Sequence, residues 1–272
     1  MLILGKEKNQ MPDSLDLERY PLDRPNTTEW QSLVDKCHED LETSGMFNLE
    51  GFLPPNVAQA EAAGLVSKFA SESFRHTREH NIYFDDSISE LAADHPLLMR
   101  SYTSNDVLCG DQVSGYLIDR LYRWAPFSKF LAATMGKPAL YTMDDTMAGL
   151  NVMSYREGQS LSWHFDRSEF TTTMLLQVSE AGGEFTYRTN LRDEDDPNYE
   201  GVTRLLLGED PEIRSLTLSP GTLNVFRRKN TPHKVMPVLG TRARIIVVFA
   251  FFEDPEIRFT DEERIGFYGR AN

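Results

Sequence analysis

The sequence predicts an α+β fold in which helices of the first half support a jelly-roll or cupin-like barrel in the second half. Three observations lead there. Apolar residues recur at helical spacing between residues 27 and 136. From residue 140 onward the texture changes to short β-rich runs separated by turn residues. Such a series of short strands, about eight of them, suits a barrel or sandwich better than alternating β and α units.

Taken in order, residues 1–26 are polar and contain Pro, and are expected to form a flexible N-terminal arm. Thr27 or Thr28 can cap a helix in which Trp30, Leu33, Val34, Cys37 and Leu41 share a stripe, closed by Gly45. A strand over 46–52 follows, and Pro54-Pro55 opens a second helix with Ala58, Ala62, Leu65 and Phe69 on one side. Residues 76–108 show no clean period and read as long loops. Leu117, Leu121 and Tyr122 mark a third helix, and Pro126 starts a fourth that ends at Gly136.

Strands are then expected at 149–155, 161–165, 170–177, 184–188, 215–218, 222–226, 234–238 and 244–252. Turns such as Ala181-Gly182-Gly183 and Ser219-Pro220-Gly221 separate them. An acidic insert at 192–196 and a helix over 198–207 interrupt the series. No linker separates a helical flank (27–138) from the core (139–272, with a C-terminal lid segment), so both are read as one domain.

The chain has 272 residues, 40% of them hydrophobic, enough for a sizeable core. Lys and Arg number 28 against 42 Asp and Glu, a net charge of −14. That field repels nucleic acid and anionic membranes and favours neutral or cationic small molecules as partners. The apolar start is too short for a signal peptide, and no run approaches a membrane span, so a cytoplasmic location is expected. Cys37 and Cys109 are too few for a disulfide framework and read as reduced core thiols.

The chemistry is concentrated in Trp163-His164-Phe165-Asp166. On a strand, i and i+2 point to one face, so His164 and Asp166 can reach a single metal from inside the barrel. His233, several strands later, supplies a second imidazole. Two histidines and a carboxylate form the facial triad of Fe(II) oxygenases, which leaves coordination positions open. His38-Glu39-Asp40 has the same pattern but falls on a predicted helix, where i and i+2 diverge. His76 and His80 have the i,i+4 spacing of a helical zinc pair but lack an adjacent catalytic Glu and an obvious third ligand.

After His233 the next strand opens with Arg242-Ala-Arg244. Both arginines share parity with Ile246 and Val248, and a buried guanidinium needs an anion, which a carboxylate answers in bidentate fashion. Tyr155 shares the parity of Asn151 and Met153 and is expected to face the same interior.

With these residues in place, the sequence resembles the Fe(II)/2-oxoglutarate dioxygenase superfamily. The His-x-Asp strand, Gly182-Gly183-Glu184-Phe185, Pro220-Gly221-Thr222-Leu223, His233-x-Val-x-Pro and Arg242 occur in its order. The segments from His164 to Thr173 and Ala181 to Tyr187, and the ending Ile265-Gly-Phe-Tyr-Gly-Arg270, resemble the HalD/BesD-type branch of halogenases and amino-acid hydroxylases. The resemblance implies a double-stranded β-helix, Fe(II) as metal, and 2-oxoglutarate and O2 as co-substrates. It also implies that Arg242, with Arg244 as neighbour or substitute, holds the distal carboxylate of 2-oxoglutarate.

In the halogenases of that branch a small residue replaces the carboxylate ligand; here Asp166 stands, which implies oxygenation. The resemblance further points to Arg167 and Arg100 as substrate contacts, and two arginines suit a carboxylate-bearing substrate. Phe267 and Tyr268 are candidates for an aromatic lid. The expected activity is hydroxylation of a free amino acid or similar small amine-bearing metabolite. Alternatives are an alkaloid-type oxidase performing desaturation, cyclisation or epimerisation, and a peptide hydroxylase, which needs an open groove. A non-enzymatic jelly-roll module predicts decay of the triad or the arginine.

Overall fold

The computed structural model describes residues 14–89, 91–166, 168–227 and 229–272. Residues 1–13 of the expected arm lie outside the described residues. The rest of that arm is not loose: Leu15, Tyr20 and Leu22 are buried in the main core, and the Tyr20 hydroxyl donates to the Glu50 carbonyl at 2.7 Å.

The first half contains α1 (Thr28–Ser44), β1 (Met46–Leu49), α2 (Pro55–Glu72), β2 (Phe74–His80), β3 (Ser101–Cys109), α3 (Leu117–Tyr122) and α4 (Ala125–Thr134). Thr27 caps α1 by accepting from the Trp30 N–H, and Gly45 ends it at φ +75°. The second half runs β4 (Tyr141–Thr142), β5 (Leu150–Tyr155), β6 (Leu161–His164), β7 (Phe170–Gln177), β8 (Ala181–Gly182) and β9 (Phe185–Tyr187). Then come α5 (Tyr199–Leu207), β10 (Arg214–Leu216), β11 (Leu223–Arg227), β12 (His233–Val235), β13 (Val238–Leu239), β14 (Arg244–Phe249), β15 (Phe251–Phe252) and α6 (Asp261–Tyr268).

A seven-stranded antiparallel sheet, ordered β1-β11-β7-β14-β5-β3-β2, faces a four-stranded one ordered β10-β9-β12-β6. Together they form a double-stranded β-helix. Period-2 alternation divides the large sheet. Val152, Met174, Leu176, Val225, Ile245 and Val247 point outward and form one core with Trp30, Leu41, Leu65 and Phe130 of the helices. Complete burial of each such side chain contributes about 1.5–3 kcal/mol. The alternate residues, Tyr155, Leu175 and Ile246, turn inward and pack with Leu161, Val235 and Leu218 of the opposite wall.

One expectation fails here. Residues 74–80 and 101–109 are strands, adding β2 and β3 to the edge of the large sheet, paired Phe74↔Val107 through His80↔Ser101. The reason is physical: β2 is the edge strand and its polar residues Arg75 to Glu79 are mostly exposed, so no apolar alternation is written into it. The glycine of the predicted turn at 219–221 has a strict role. A Cβ on Gly221 would stand 1.7 Å from the Leu53 carbonyl oxygen, and its φ is +86°.

Candidate active site

His164 ends β6 and is paired directly with His233 at the start of β12. The register brings the two rings to 4.2 Å between centroids, and Asp166, just past β6, completes the group. Asp166 Oδ1 lies 3.3 Å from His164 Nε2, and Asp166 Oδ2 lies 3.1 Å from His233 Nε2. Among the described residues this is the one His/Cys/Asp/Glu cluster whose ligand atoms converge, all within 4.8 Å of one another.

The hydrogen bonds fix which nitrogens face inward. His164 Nδ1 donates to the Ser162 carbonyl at 2.9 Å, and His233 Nδ1 donates to the Thr231 carbonyl at 3.2 Å, since a carbonyl can only accept. Burial, then the neighbouring His164, push His233 below its ordinary value and keep it neutral, although Asp166 opposes this. The neutral Nε2 lone pair of His233 and the Asp166 carboxylate therefore point at one spot together with His164 Nε2. Such a convergence of acceptors is stabilised by a cation, and the nitrogen and oxygen donors suit Fe(II).

Aromatic rings wall the group. Phe226 and Phe185 lie 5.0 and 5.5 Å from the His233 ring, and Phe84 and His80 lie 6.1 and 6.2 Å from that of His164. His80 was not among the residues expected here. It is buried, its Nδ1 donates to the Asn81 carbonyl at 2.9 Å, and its Nε2 meets Thr103 Oγ1 at 3.0 Å. Thr103 Oγ1 in turn accepts from the Ser162 N–H at 2.9 Å, so β3 braces the peptide that orients His164. The alternation of His76, Arg78 and His80 along a strand was the signal that could have revealed this wall.

Deeper in the barrel, Arg244 is directly opposite Tyr155 across the β14–β5 ladder, its guanidinium 5.8 Å from the tyrosine ring. Both side chains are buried, and Arg244 Nη1 has no hydrogen-bond partner. Burial works against the charge on Arg244. Burial also pushes the Tyr155 hydroxyl up to about 12; the Arg244 charge opposes this and the Asp166 charge adds to it. Tyr155 thus feels both the arginine and the triad. A cavity of about 240 Å³, lined by Gly183, Phe185, Leu175 and Leu218, opens onto Arg244.

Arg242 is placed differently from the expectation that it faces the interior. It is exposed and its Nη2 donates to the Ser179 carbonyl at 3.2 Å. The turn before β14 extends through it, because Thr241 is held by Glu180 and the strand begins only at Arg244. Arg100 is exposed and bonded to Asp86. Arg167 lies outside the described residues. Of the proposed aromatic lid, Phe267 stacks on His76 at 5.8 Å, whereas Tyr268 is buried. His38 is an exposed residue of α1, and His76 and His80 share a strand rather than a helix.

Comparison with known proteins agrees with this architecture. The family model described as halogenase D matches residues 29–263. Among solved structures, the chain is similar to the non-haem α-ketoglutarate-dependent epimerase SnoN from nogalamycin biosynthesis, with TM-score 0.56, 14% identity, and coverage of 82% of this chain and 84% of that one. It is also similar to a Trichoplax adhaerens prolyl hydroxylase bound to a hypoxia-inducible-factor peptide, with TM-score 0.55, 14% identity, and coverage of 85% and 96%. A Burkholderia pseudomallei oxidoreductase of the 2OG-Fe(II) oxygenase family gives TM-score 0.50, 13% identity, and coverage of 82% and 92%. Among curated proteins no sequence match is found. With the match running from α1 into α6, the chain belongs to the halogenase D family of 2-oxoglutarate-dependent non-haem iron oxygenases.

Proposed function

We propose that His164, Asp166 and His233 hold Fe(II), that Arg244 with Tyr155 holds the distal carboxylate of 2-oxoglutarate, and that the enzyme hydroxylates a free amino acid or similar small amine-bearing metabolite. The observation that carries the co-substrate assignment is the buried Arg244, whose Nη1 has no hydrogen-bond partner and which forms no ion pair among the described residues, opposite Tyr155 in the same barrel as the triad. A buried charge without an anion is costly, and a carboxylate is the partner a guanidinium takes in bidentate fashion. Arg242, exposed at the turn, is not needed for this role.

Iron with 2-oxoglutarate and O2 supplies oxidation of a substrate C–H bond, with succinate and CO2 as co-products. The chain's own residues do the positioning. Carbonyls of Ser162 and Thr231 lock both imidazoles with Nε2 inward. Phe185 and Phe226 keep water from the buried side. Asp166 fills a ligand position that a halide would need, so oxygenation rather than halogenation is the chemistry this member of the family is built for. Phe84 stacks on His80 beside His164 and Phe267 stacks on His76; this aromatic border along β2 supports a small substrate over an extended peptide, and the net charge of −14 favours one bearing an amine.

The test is succinate release with Fe(II), 2-oxoglutarate and a panel of free amino acids and amines, with product masses. A gain of one oxygen on an amino acid is expected; turnover confined to peptides would remove the small-molecule reading. Arg244→Ala should raise the Michaelis constant for 2-oxoglutarate about 100-fold, since bonds to charged groups are strong, while Arg242→Ala leaves it unchanged. The reverse order would return the anchor to Arg242.

A further inference from the structure

We infer that Arg78 is the specificity-determining residue that receives the substrate's carboxylate, with Phe84 as the aromatic platform between it and the metal site. The inference rests on the amino-acid reading above and locates the binding group within it.

Register places Arg78 on the correct face. It pairs with Thr103, whose hydroxyl meets His80 Nε2 and accepts from the Ser162 N–H two residues before His164. Directly paired residues on adjacent strands share a face, so Arg78 looks toward β6 and the triad, whereas Arg75, of opposite parity, pairs with Asp106 on the other side. The Arg78 guanidinium lies 4.7 Å over the Phe84 ring, and that ring lies 6.1 Å from His164. One aromatic ring therefore separates the cation from a proposed metal ligand, a spacing a small amino acid can bridge.

Phe84 is held there at a cost. Its φ of +60° lies in the left-handed region, which is strained for a bulky residue. The buried Asn81 imposes it: its Oδ1 accepts from the Tyr83 and Asp85 N–H groups at 3.2 Å each, and its Nδ2 donates to the Asp85 carbonyl at 2.5 Å. Backbone strain kept beside a metal site is a mark of function rather than packing.

Charge makes the third point. In a chain of net charge −14, Arg75 on the opposite face of β2 and Arg100 just before β3 both have carboxylate partners, while Arg78 forms no ion pair among the described residues. It is exposed, so a ligand can reach it, and its charge helps keep His76 and His80 below their ordinary values, after the larger effect of burial. A guanidinium with no carboxylate partner among the described residues selects a carboxylate, while the acidic wider surface draws in the amine.

The experiment uses enzyme loaded with Fe(II) and 2-oxoglutarate under nitrogen. Calorimetric binding of the proteinogenic amino acids and of their decarboxylated amines is measured for the wild type, Arg78→Gln and Arg78→Lys. The steady-state constants of the best acid are then measured in air. Arg78→Gln is expected to weaken acid binding and raise its KM by about 10- to 100-fold, the loss of a charged hydrogen bond. The KM for 2-oxoglutarate and the weak binding of the matching amine should stay unchanged, and Arg78→Lys should recover part of the loss. If the wild type binds amino acids and Arg78→Gln binds them equally, the Arg78 assignment falls and the amino-acid reading stands. If the wild type binds no acid more tightly than its amine, both fall.

Discussion

At Asp166 a single carboxylate lies between two imidazoles, 3.3 Å from His164 Nε2 and 3.1 Å from His233 Nε2. A halide would have to displace this anion from a group oriented by the β6–β12 pairing, so turnover in excess chloride and bromide should yield no halogenated product. Mass spectrometry of the complete mixture checks this, and a chlorine isotope pattern in the product would refute it. The His-x-Asp spacing was legible because a strand makes i and i+2 neighbours in space whatever surrounds them. The arginine was not legible to the residue. Arg242 and Arg244 have identical parity, and only the Glu180–Thr241 contacts, remote in sequence, decide that the strand starts at the second.

At the level of elements, the helices and core strands follow from periodicity and caps, as with Thr27 and Gly45 around α1. The strands β2 and β3 do not, because Phe74-Arg-His-Thr-Arg-Glu-His is an edge strand with polar residues on both faces. The turn after β2 is the element with most bearing on catalysis. Asn81→Ala removes the three side-chain bonds that hold residues 83–85, and Phe84 is then expected to relax out of its left-handed conformation. The predicted result is a rise of several-fold in succinate formed per product, with 2-oxoglutarate affinity intact. Tight coupling in Asn81→Ala would show that the turn does not govern substrate placement.

Over the whole molecule, the barrel keeps its polar chemistry inside and its helix-backed core outside, so stability and activity draw on opposite faces of one sheet. Protons link the two. His76, His80 and His233 all lie below the ordinary value of 6.5, burial being the first cause for each. A histidine kept neutral by the fold contributes stability that is present above its unfolded pKa and lost as pH falls through that value toward the depressed one. The urea midpoint of the metal-free protein should therefore fall between about pH 7 and pH 5.5, where unfolded histidines take up protons; a flat profile would contradict it. The buried Arg244 has a wider consequence. Among the described residues no carboxylate pairs with it and its Nη1 has no hydrogen-bond partner, so a bound dicarboxylate would supply the counter-charge from outside the chain. Succinate alone, at about 100 times its dissociation constant, should then stabilise the iron-free protein by about 2.7 kcal/mol. Arg244→Met should melt higher than the wild type when both are empty and should lose the succinate response; a mutant that melts lower and still responds would rule this out. An enzyme built in this way would survive proteolysis in proportion to the dicarboxylate around it, its abundance following the supply of its own co-substrate.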